Sequence, residues 1–232
     1  MAKAPKTAYV CNDCGAEFSR WQGQCSACKA WNTISEVRLI SASNSTKNDR
    51  FSGYAGETRA KIQTLSEISL QETPRFTSGF KELDRVLGGG IVPGSAILIG
   101  GHPGAGKSTL LLQVMCGLAK NMTALYVTGE ESLQQVAMRA NRLNLPTDKL
   151  NMLSETSVEQ ICNLADQLKP QIIVVDSIQV MHLSDIQSSP GSVAQVRECA
   201  SFLTRYAKTR QVAIIMVGHV TKDGTLAGPK VL

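Results

Sequence analysis

The feature that most constrains the fold is the segment GHPGAGKS at residues 101–108, which matches the phosphate-loop pattern G-x-x-x-x-G-K-[ST]. An apolar run typical of a strand precedes it, and a helical pattern begins at Lys107. Glycines allow backbone amides to turn inward around a phosphate, and a helix N-terminus adds aligned N–H groups and partial positive charge. A chance glycine turn needs neither flanking element, so the segment predicts a nucleotide-binding loop.

The motif predicts which residues contact the nucleotide phosphates and Mg²⁺. Lys107 is predicted to contact the β- and γ-phosphates and to act in catalysis, and the Ser108 hydroxyl is predicted to bind Mg²⁺. An acid at the end of a second strand usually steadies that ion, and Asp176 ends the run IIVVD. The predicted nucleotide and Mg²⁺ contacts are therefore Gly101, His102, Pro103, Gly104, Ala105, Gly106, Lys107, Ser108, Thr109 and Asp176.

Hydrolysis also needs a base near the γ-phosphate. Glu130 lies just beyond the carboxyl end of the predicted strand at residues 123–128, and ligand sites in parallel sheets lie at that edge. The adjacent Glu131 is the alternative, and its other role would be to stabilise the dipole of the helix that follows. We predict Glu130 as the catalytic base.

From about Pro74 onward, short apolar runs alternate with amphipathic helical patterns, which predicts an α/β fold with a parallel sheet. The predicted strands are residues 95–100, 123–128, 171–176 and 212–218. The predicted helices begin at Lys107, after Ser132, after Thr156 and at about Ser192. Ser132 and Gln135 have the spacing of a capping box. This order predicts a three-layer sandwich.

The N-terminal region carries two C-x-x-C pairs, Cys11 with Cys14 and Cys25 with Cys28. Four thiolates so arranged predict a closed tetrahedral Zn²⁺ site in a small rubredoxin-like ribbon, with iron or redox-active cysteines as alternatives. Gly15 is expected to let the backbone turn beneath the sulfurs, and Gly23 is expected to do the same before the second pair.

Arg20, Trp21 and Trp31 surround the predicted ribbon. Two aromatic residues beside a basic one can stack on nucleobases, but in so small a module they more often cover the metal site. We therefore expect the two tryptophans to be part of the ribbon's core rather than a DNA contact.

Composition and charge argue against a membrane-spanning protein but do not decide whether the chain binds nucleic acid. The 232 residues carry a net charge of +5, which permits nucleic-acid binding without showing it. No run reaches the roughly 18 apolar residues of a membrane-spanning helix, and no signal peptide precedes Cys11, so we predict a cytoplasmic protein with no membrane partner. The other cysteines, Cys116, Cys162 and Cys199, lie in apolar helical patterns and are expected in the core.

Composition also divides the chain into a ribbon at residues 1–36, a polar Ser/Asn-rich linker at 37–74 and a nucleotide-binding core at 75–232. The nucleotide is predicted to be ATP. The guanine-reading N-K-x-D pattern is missing, and Asp176 begins DSIQ instead of the D-x-x-G of a switch GTPase.

Four further segments carry a family resemblance: TSGFKELDRVLGGGIVPGS at 77–95, TGEES at 128–132, VVDSIQ at 174–179 and VGHVTKDG at 217–224. They resemble the RecA-like P-loop ATPases of the RecA, DnaB and KaiC type. With the ribbon CNDCG…RWQGQCSAC…WNT, essentially the whole chain resembles the bacterial RadA (Sms) family of DNA repair and recombination ATPases.

The resemblance implies a hexameric, DNA-dependent ATPase with a helicase-like motor. Such proteins bind single-stranded and branched DNA, promote branch migration of recombination intermediates and act together with the RecA recombinase. The resemblance also implies that Glu130 is the catalytic glutamate and that mobile loops at 182–191 and 221–230 face the DNA. It implies that His219 is a γ-phosphate sensor, with an ordinary hydrogen-bonded histidine as the alternative. Lys222 and Lys230 are then expected to contact DNA phosphates, with ordinary solvation as the alternative.

Members of that family continue into a KNRFG motif and a Lon-protease-like domain, whereas this sequence ends at GPKVL. We therefore expect a C-terminally truncated chain with an incomplete ATPase core. Two alternatives stay open: a nucleotide- and zinc-binding module without motor activity, and a KaiC-like signalling switch, which would lack the ribbon.

Overall fold

The structure is a computed structural model that describes residues 6–39, 64, 74–186 and 188–219. The N-terminal ribbon is a three-stranded antiparallel sheet in the order β2-β1-β3. Its strands are β1 (Lys6–Cys11), β2 (Glu17–Phe18) and β3 (Ile34–Leu39). Cys11 ends β1 and pairs with Ile34, so the first metal-binding turn begins where the ladder stops.

The core contains a five-stranded, wholly parallel sheet in the order β4-β8-β7-β5-β6. The strands are β4 (Ala96–Gly101), β5 (Ala124–Thr128), β6 (Asn151–Ser154), β7 (Ile172–Asp176) and β8 (Ala213–His219). Four of them confirm the predicted strands. Strand β6 was not predicted, because its sequence NMLS lacks a β-branched run and an edge strand buries none of its residues.

The helices are α1 (Lys81–Val86), α2 (Lys107–Leu118), α3 (Leu133–Arg142), α4 (Val158–Leu168) and α5 (Val193–Arg210), with a short 3-10 helix at Ile178–Val180. The capping box between Ser132 and Gln135 is confirmed. The prediction that a helix starts after Thr156 is wrong by one residue. Ser157 is the cap of α4, since its hydroxyl accepts the amide of Gln160, whereas the Thr156 carbonyl accepts the amide of His182.

Side chains of the central strands alternate between two separate apolar clusters, one on each face of the sheet. Helices α4 and α5 cover one face, where Ile161 and Leu203 pack against Val175 and Ile214. Helices α2 and α3 cover the other, where the second cluster contains Leu111, Met115, Val136, Tyr126 and Val174. The predicted three-layer α/β sandwich is therefore confirmed.

Cys116, Cys162 and Cys199 are buried in these clusters, as expected of core residues. Burial, together with the negative charges of Asp166 and Glu159, raises the pKa of Cys162 to about 12. Burial also raises the pKa of Cys199 to about 12, so both thiols stay protonated at neutral pH. Among the described residues, no helix is long and apolar enough to pass through a membrane.

Gly129 follows β5 at a point where no side chain fits. Its amide donates to the carbonyl oxygen of Asp176 at 2.9 Å. A Cβ at this position would lie 2.5 Å from Cγ2 of Val180 and 2.9 Å from Cε of Met181. Glycine therefore lets β5 and the segment after β7 approach each other.

We expect Gly129→Ala to lower the free energy of unfolding by about 1–3 kcal/mol, because the added methyl group must displace Val180 or Met181. Chemical denaturation followed by circular dichroism measures the change. Gly117→Ala is the control. Gly117 is exposed in the last turn of α2 and has no atom within 4 Å of the new Cβ, so alanine there should raise the free energy of unfolding by up to about 0.5–1 kcal/mol. Equal stability of Gly129→Ala and the wild type would contradict the steric argument.

Candidate nucleotide site and metal centre

The carboxyl ends of the strands bring the predicted site residues to one edge of the sheet. Gly101, at the end of β4, pairs with His219 at the end of β8. Thr128, at the end of β5, pairs with Asp176 at the end of β7. The phosphate loop, Glu130, Asp176 and His219 therefore share the edge at which ligands bind in parallel sheets.

The phosphate loop joins β4 to α2 in the expected way. Gly104 and Gly106 have φ angles of 79° and 86°, a left-handed conformation that favours glycine. The side chain of Lys107 folds back along the loop, and its Nζ donates to the carbonyl oxygens of Gly101 at 2.7 Å and His102 at 2.8 Å. Residues 101–109, all predicted as nucleotide contacts, thus form one continuous turn and the start of a helix.

The N-terminus of α2 differs from those of the other long helices. Helices α3, α4 and α5 are capped by Ser132, Ser157 and Ser192, whose hydroxyls each accept the backbone amide three residues on. Helix α2 begins after Gly106 with no side-chain cap. Its first-turn amides, which have no intrahelical acceptor, are therefore left for an anion, and the loop fits the phosphates of a nucleotide.

Asp176 is held by a residue that the sequence did not indicate. The hydroxyl of Tyr126, which is fully buried in β5, donates to Oδ2 of Asp176 at 2.5 Å. Burial, reinforced by the charge of Asp176, raises the pKa of the Tyr126 phenol above its usual range, so the phenol remains a donor. Oδ1 of Asp176 has no protein partner among the described residues. A carboxylate oxygen is a ligand that Mg²⁺ accepts, so the arrangement fits the predicted metal role.

The two adjacent glutamates have different partners. Glu131 forms a two-pronged ion pair with Arg139 of α3. Glu130 instead accepts a hydrogen bond at Oε1 from the fully buried hydroxyl of Ser177, and the same oxygen lies 3.2 Å from Nε2 of His219. Oε2 of Glu130 has no hydrogen bond within the described chain. The structure thus brings Glu130, not Glu131, together with His219, although the assignment of the base stays a prediction.

Further polar atoms are unpaired beside this cluster. Nδ1 of His219 and Oε1 of Gln179 are buried and have no partner within the part of the chain that the structure describes. The Gln179 amide lies 3.5 Å from the carbonyl oxygen of His219, which connects the 3-10 helix to the end of β8. These unpaired atoms are available for hydrogen bonds to a ligand or a water molecule at this edge of the sheet.

Several residues of the loop at 182–191, which was expected to be mobile, form hydrogen bonds with side chains of α4 and α5. The side chain of Gln195, which is 2% exposed, donates to the carbonyl oxygens of Ile186 and Ser188 and accepts the amide of Leu183. The carboxylate of Glu159 accepts both the amide and the hydroxyl of Ser184. Side-chain hydrogen bonds therefore position Leu183, Ser184, Ile186 and Ser188. The loop at 221–230, with Lys222 and Lys230, lies outside the described residues.

The four cysteines of the ribbon converge on a single point. Their Sγ atoms all lie within 4.8 Å of one another, with 3.7 Å between Cys11 and Cys28 and 3.4 Å between Cys14 and Cys25. Tetrahedral Zn²⁺ with Zn–S bonds of about 2.3 Å places its sulfurs roughly 3.8 Å apart. The donor set and its spacing therefore fit one closed Zn²⁺ site.

Both metal-binding turns use the same backbone hydrogen bond, but the expectation for the second turn is wrong. The Cys11 carbonyl accepts the amide of Gly15, whose φ is 71°, as expected. In the second turn the Cys25 carbonyl accepts the amide of Lys29, and Lys29 has the left-handed φ of 65°. Gly23 therefore does not provide this turn.

The thiols differ in acidity before a metal binds. Burial raises the pKa of Cys14 to about 12. Burial would also raise the pKa of Cys11, but hydrogen bonds from the Thr33 hydroxyl and nearby backbone amides outweigh it and lower that pKa to about 6. These hydrogen bonds therefore favour the thiolate form of Cys11, which is the form that binds a metal ion.

The tryptophans do not cover the metal centre, so the expectation of a core role is wrong. Trp21 is 57% exposed and Trp31 is 69% exposed. The small ribbon cluster consists of Cys11, Cys25 and Ile34, with Tyr9, Cys14, Ala16 and Phe18 packed against it. Neither indole ring contributes to that cluster.

This cluster is too small to hold the ribbon folded by apolar burial, so we expect zinc to be required for its structure. A chelator should release one zinc per chain and shift the fluorescence of Trp21 and Trp31, while the sheet of the core remains folded. A colorimetric zinc assay and emission spectra measure both effects. Cys14→Ser should lose the metal, whereas Cys162→Ala is the control and should keep it; a ribbon unchanged after complete zinc removal would contradict the expectation.

Comparisons with known proteins agree with this architecture. A rubredoxin metal binding domain profile matches residues 9–36, and an AAA domain profile matches residues 60–225. The whole chain is 94% identical over 232 residues to the DNA repair protein RadA of Haemophilus influenzae, 73% over 233 to that of Escherichia coli and 46% over 233 to that of Bacillus subtilis. The chain spans about half the length of these relatives, namely 50%, 51% and 50%. Because the AAA profile covers most of its residues, the chain belongs to the AAA domain family.

Proposed function

We propose that the chain is the ATP-hydrolysing part of a DNA-dependent ATPase that acts in recombinational DNA repair. One observation supports hydrolysis above all: Glu130 is held by Ser177 and His219 at the sheet edge that also carries the phosphate loop. The identity to relatives named DNA repair protein RadA supports the repair context. Single-stranded and branched DNA as partners, branch migration, hexamer formation and a partnership with RecA rest on the family resemblance, as does a cytoplasmic location.

In this proposal the phosphate loop binds the nucleotide. The free amides of the first turn of α2 and the amine of Lys107 bind the phosphates, and the amine exchanges its bonds to the carbonyls of Gly101 and His102 for bonds to phosphate oxygens. Ser108 and Asp176 would hold Mg²⁺, and Tyr126 keeps the Asp176 carboxylate oriented. Bound magnesium–ATP would supply the scissile phosphoanhydride and neutralise part of its charge.

Glu130 then acts as the general base. Its Oε1 is fixed by Ser177 and His219, so Oε2 is the oxygen that accepts a proton from the attacking water. His219 connects this base to the end of β8, beside Gly101 of the phosphate loop. A sensor role for His219 is consistent with that position, because a shift of the ring changes the hydrogen bonding of the base.

The test is ATP turnover by the chain with and without an oligothymidylate single strand. Lys107→Ala should lose nucleotide binding, and Glu130→Gln should bind ATP but turn it over roughly a hundredfold or more slowly. Glu131→Gln is the matched control, since its partner is Arg139, and it should keep most of the activity. Loss of turnover in Glu131→Gln but not in Glu130→Gln would reverse the assignment. Binding without turnover in the wild type would favour a nucleotide- and zinc-binding module.

A second test asks whether the hydrogen bond from Ser177 positions the carboxylate of Glu130. We expect Ser177→Ala to lower kcat roughly tenfold or more with little change in KM, because a hydrogen bond to the charged base is lost while the phosphate loop is intact. Ser177→Thr, which keeps the hydroxyl, should recover part of the rate. Steady-state kinetics with a fluorescent-nucleotide binding assay separate the two effects. A raised KM with unchanged kcat would show that Ser177 acts in binding instead.

A further inference from the structure

The ribbon presents an aromatic surface that neither zinc binding nor ATP hydrolysis uses. Trp21 and Trp31 are 57% and 69% exposed, although large aromatic side chains usually bury most of their area. Neither ring contributes to the cluster around the cysteines. Two such indoles in one small module leave apolar area in water that a ligand could cover.

The two indoles lie over the same glycine. A Cβ on Gly23 would lie 3.8 Å from Cη2 of Trp21 and 3.8 Å from Cζ3 of Trp31, so these two ring atoms are no more than 7.6 Å apart. The amide of Asn32 donates to the Gly23 carbonyl at 2.8 Å, and Gln24 pairs with Trp31. The backbone therefore holds the rings together, and Gly23 adds no side chain between them. We call Trp21, Gly23 and Trp31 the tryptophan platform.

The segment that carries the tryptophan platform has charges of one sign. Residues 19–34 include the basic residues Arg20 and Lys29 and no Asp or Glu. Both basic side chains are exposed, and neither forms an ion pair with any residue that the structure describes. The flanking residues Gln22 and Asn32 are polar amides rather than aliphatic residues. A cationic, hydrogen-bonding rim around exposed aromatic rings complements a polyanion with planar bases.

We propose that the tryptophan platform stacks on the bases of single-stranded DNA while Arg20 and Lys29 contact its phosphates. Stacking requires unpaired bases, so the platform distinguishes single strands from duplexes without reading sequence. This inference deepens the DNA binding put forward above and rests on it. It assigns to the zinc ion the indirect role of holding the hairpin that carries the two rings.

The chain provides its own reporter for this proposal, because Trp21 and Trp31 are its only tryptophans. Titration of the zinc-loaded chain with oligothymidylate should quench the emission to saturation, and a duplex of equal length should quench it far less. Binding of a labelled oligothymidylate, followed by anisotropy, should weaken roughly tenfold or more in the double variant Trp21→Ala/Trp31→Ala, since one base–aromatic stack is worth about 1–3 kcal/mol. Trp→Phe at both positions should recover part of the affinity.

Zinc content and ATP turnover without DNA serve as controls, and both should be unchanged in the double alanine variant. If that variant retains zinc and binds the oligonucleotide as tightly as the wild type, the tryptophan platform does not bind DNA, while the proposal that the chain binds DNA still stands. If the wild type binds no single-stranded DNA in either assay, the inference fails together with the DNA-dependent part of the proposed function. Equal quenching of the tryptophan emission by duplex and single-stranded DNA would also contradict the inference that the platform stacks on unpaired bases.

Discussion

The site depends on the pairing of β5 with β7. The ladder aligns Thr128 with Asp176, and the next hydrogen bond, from the amide of Gly129 to the carbonyl of Asp176, continues the pairing beyond the strands. This contact is possible because Gly129 has no side chain. It places Glu130 beside Ser177, so the position of the predicted base follows from backbone hydrogen bonding between segments almost fifty residues apart.

Two different physical principles stabilise the two parts of the chain. The core buries an aliphatic cluster on each face of a parallel sheet, and the hydrophobic effect suffices to hold it. Among the ribbon side chains that the structure describes, only Cys11, Cys25 and Ile34 are buried in the apolar cluster, so the ribbon needs bonds to a metal ion to stabilise its fold. The ribbon can therefore leave Trp21 and Trp31 exposed, because its stability does not depend on burying them.

Short sequence patterns predicted those parts of the structure that depend on interactions between residues close together in the chain. The β-branched runs predicted four of the five core strands, the capping-box spacing of Ser132 and Gln135 predicted the start of α3, and the glycine-rich motif predicted the phosphate loop. The contacts of Tyr126 with Asp176 and of Ser177 with Glu130 could not be predicted, because they depend on strand order and register. A tyrosine within the otherwise aliphatic run ALYVT was the available signal, since a buried hydroxyl needs a partner. The tryptophans were misassigned because sequence does not show on which side of a small hairpin a ring lies.

The folded-back side chain of Lys107 has a consequence for ligand selection. Its ammonium group already has two carbonyl acceptors, so this buried cation is not left without hydrogen bonds when no ligand is present. Ligand entry at this point is then an exchange of acceptors rather than the filling of an empty site. A neutral ligand would offer the lysine no better acceptor than two peptide carbonyls, whereas a phosphate group offers oxygens that share a negative charge. Lys107 therefore favours anionic ligands over uncharged ones, because only an anion is a better acceptor than the carbonyls that it already contacts.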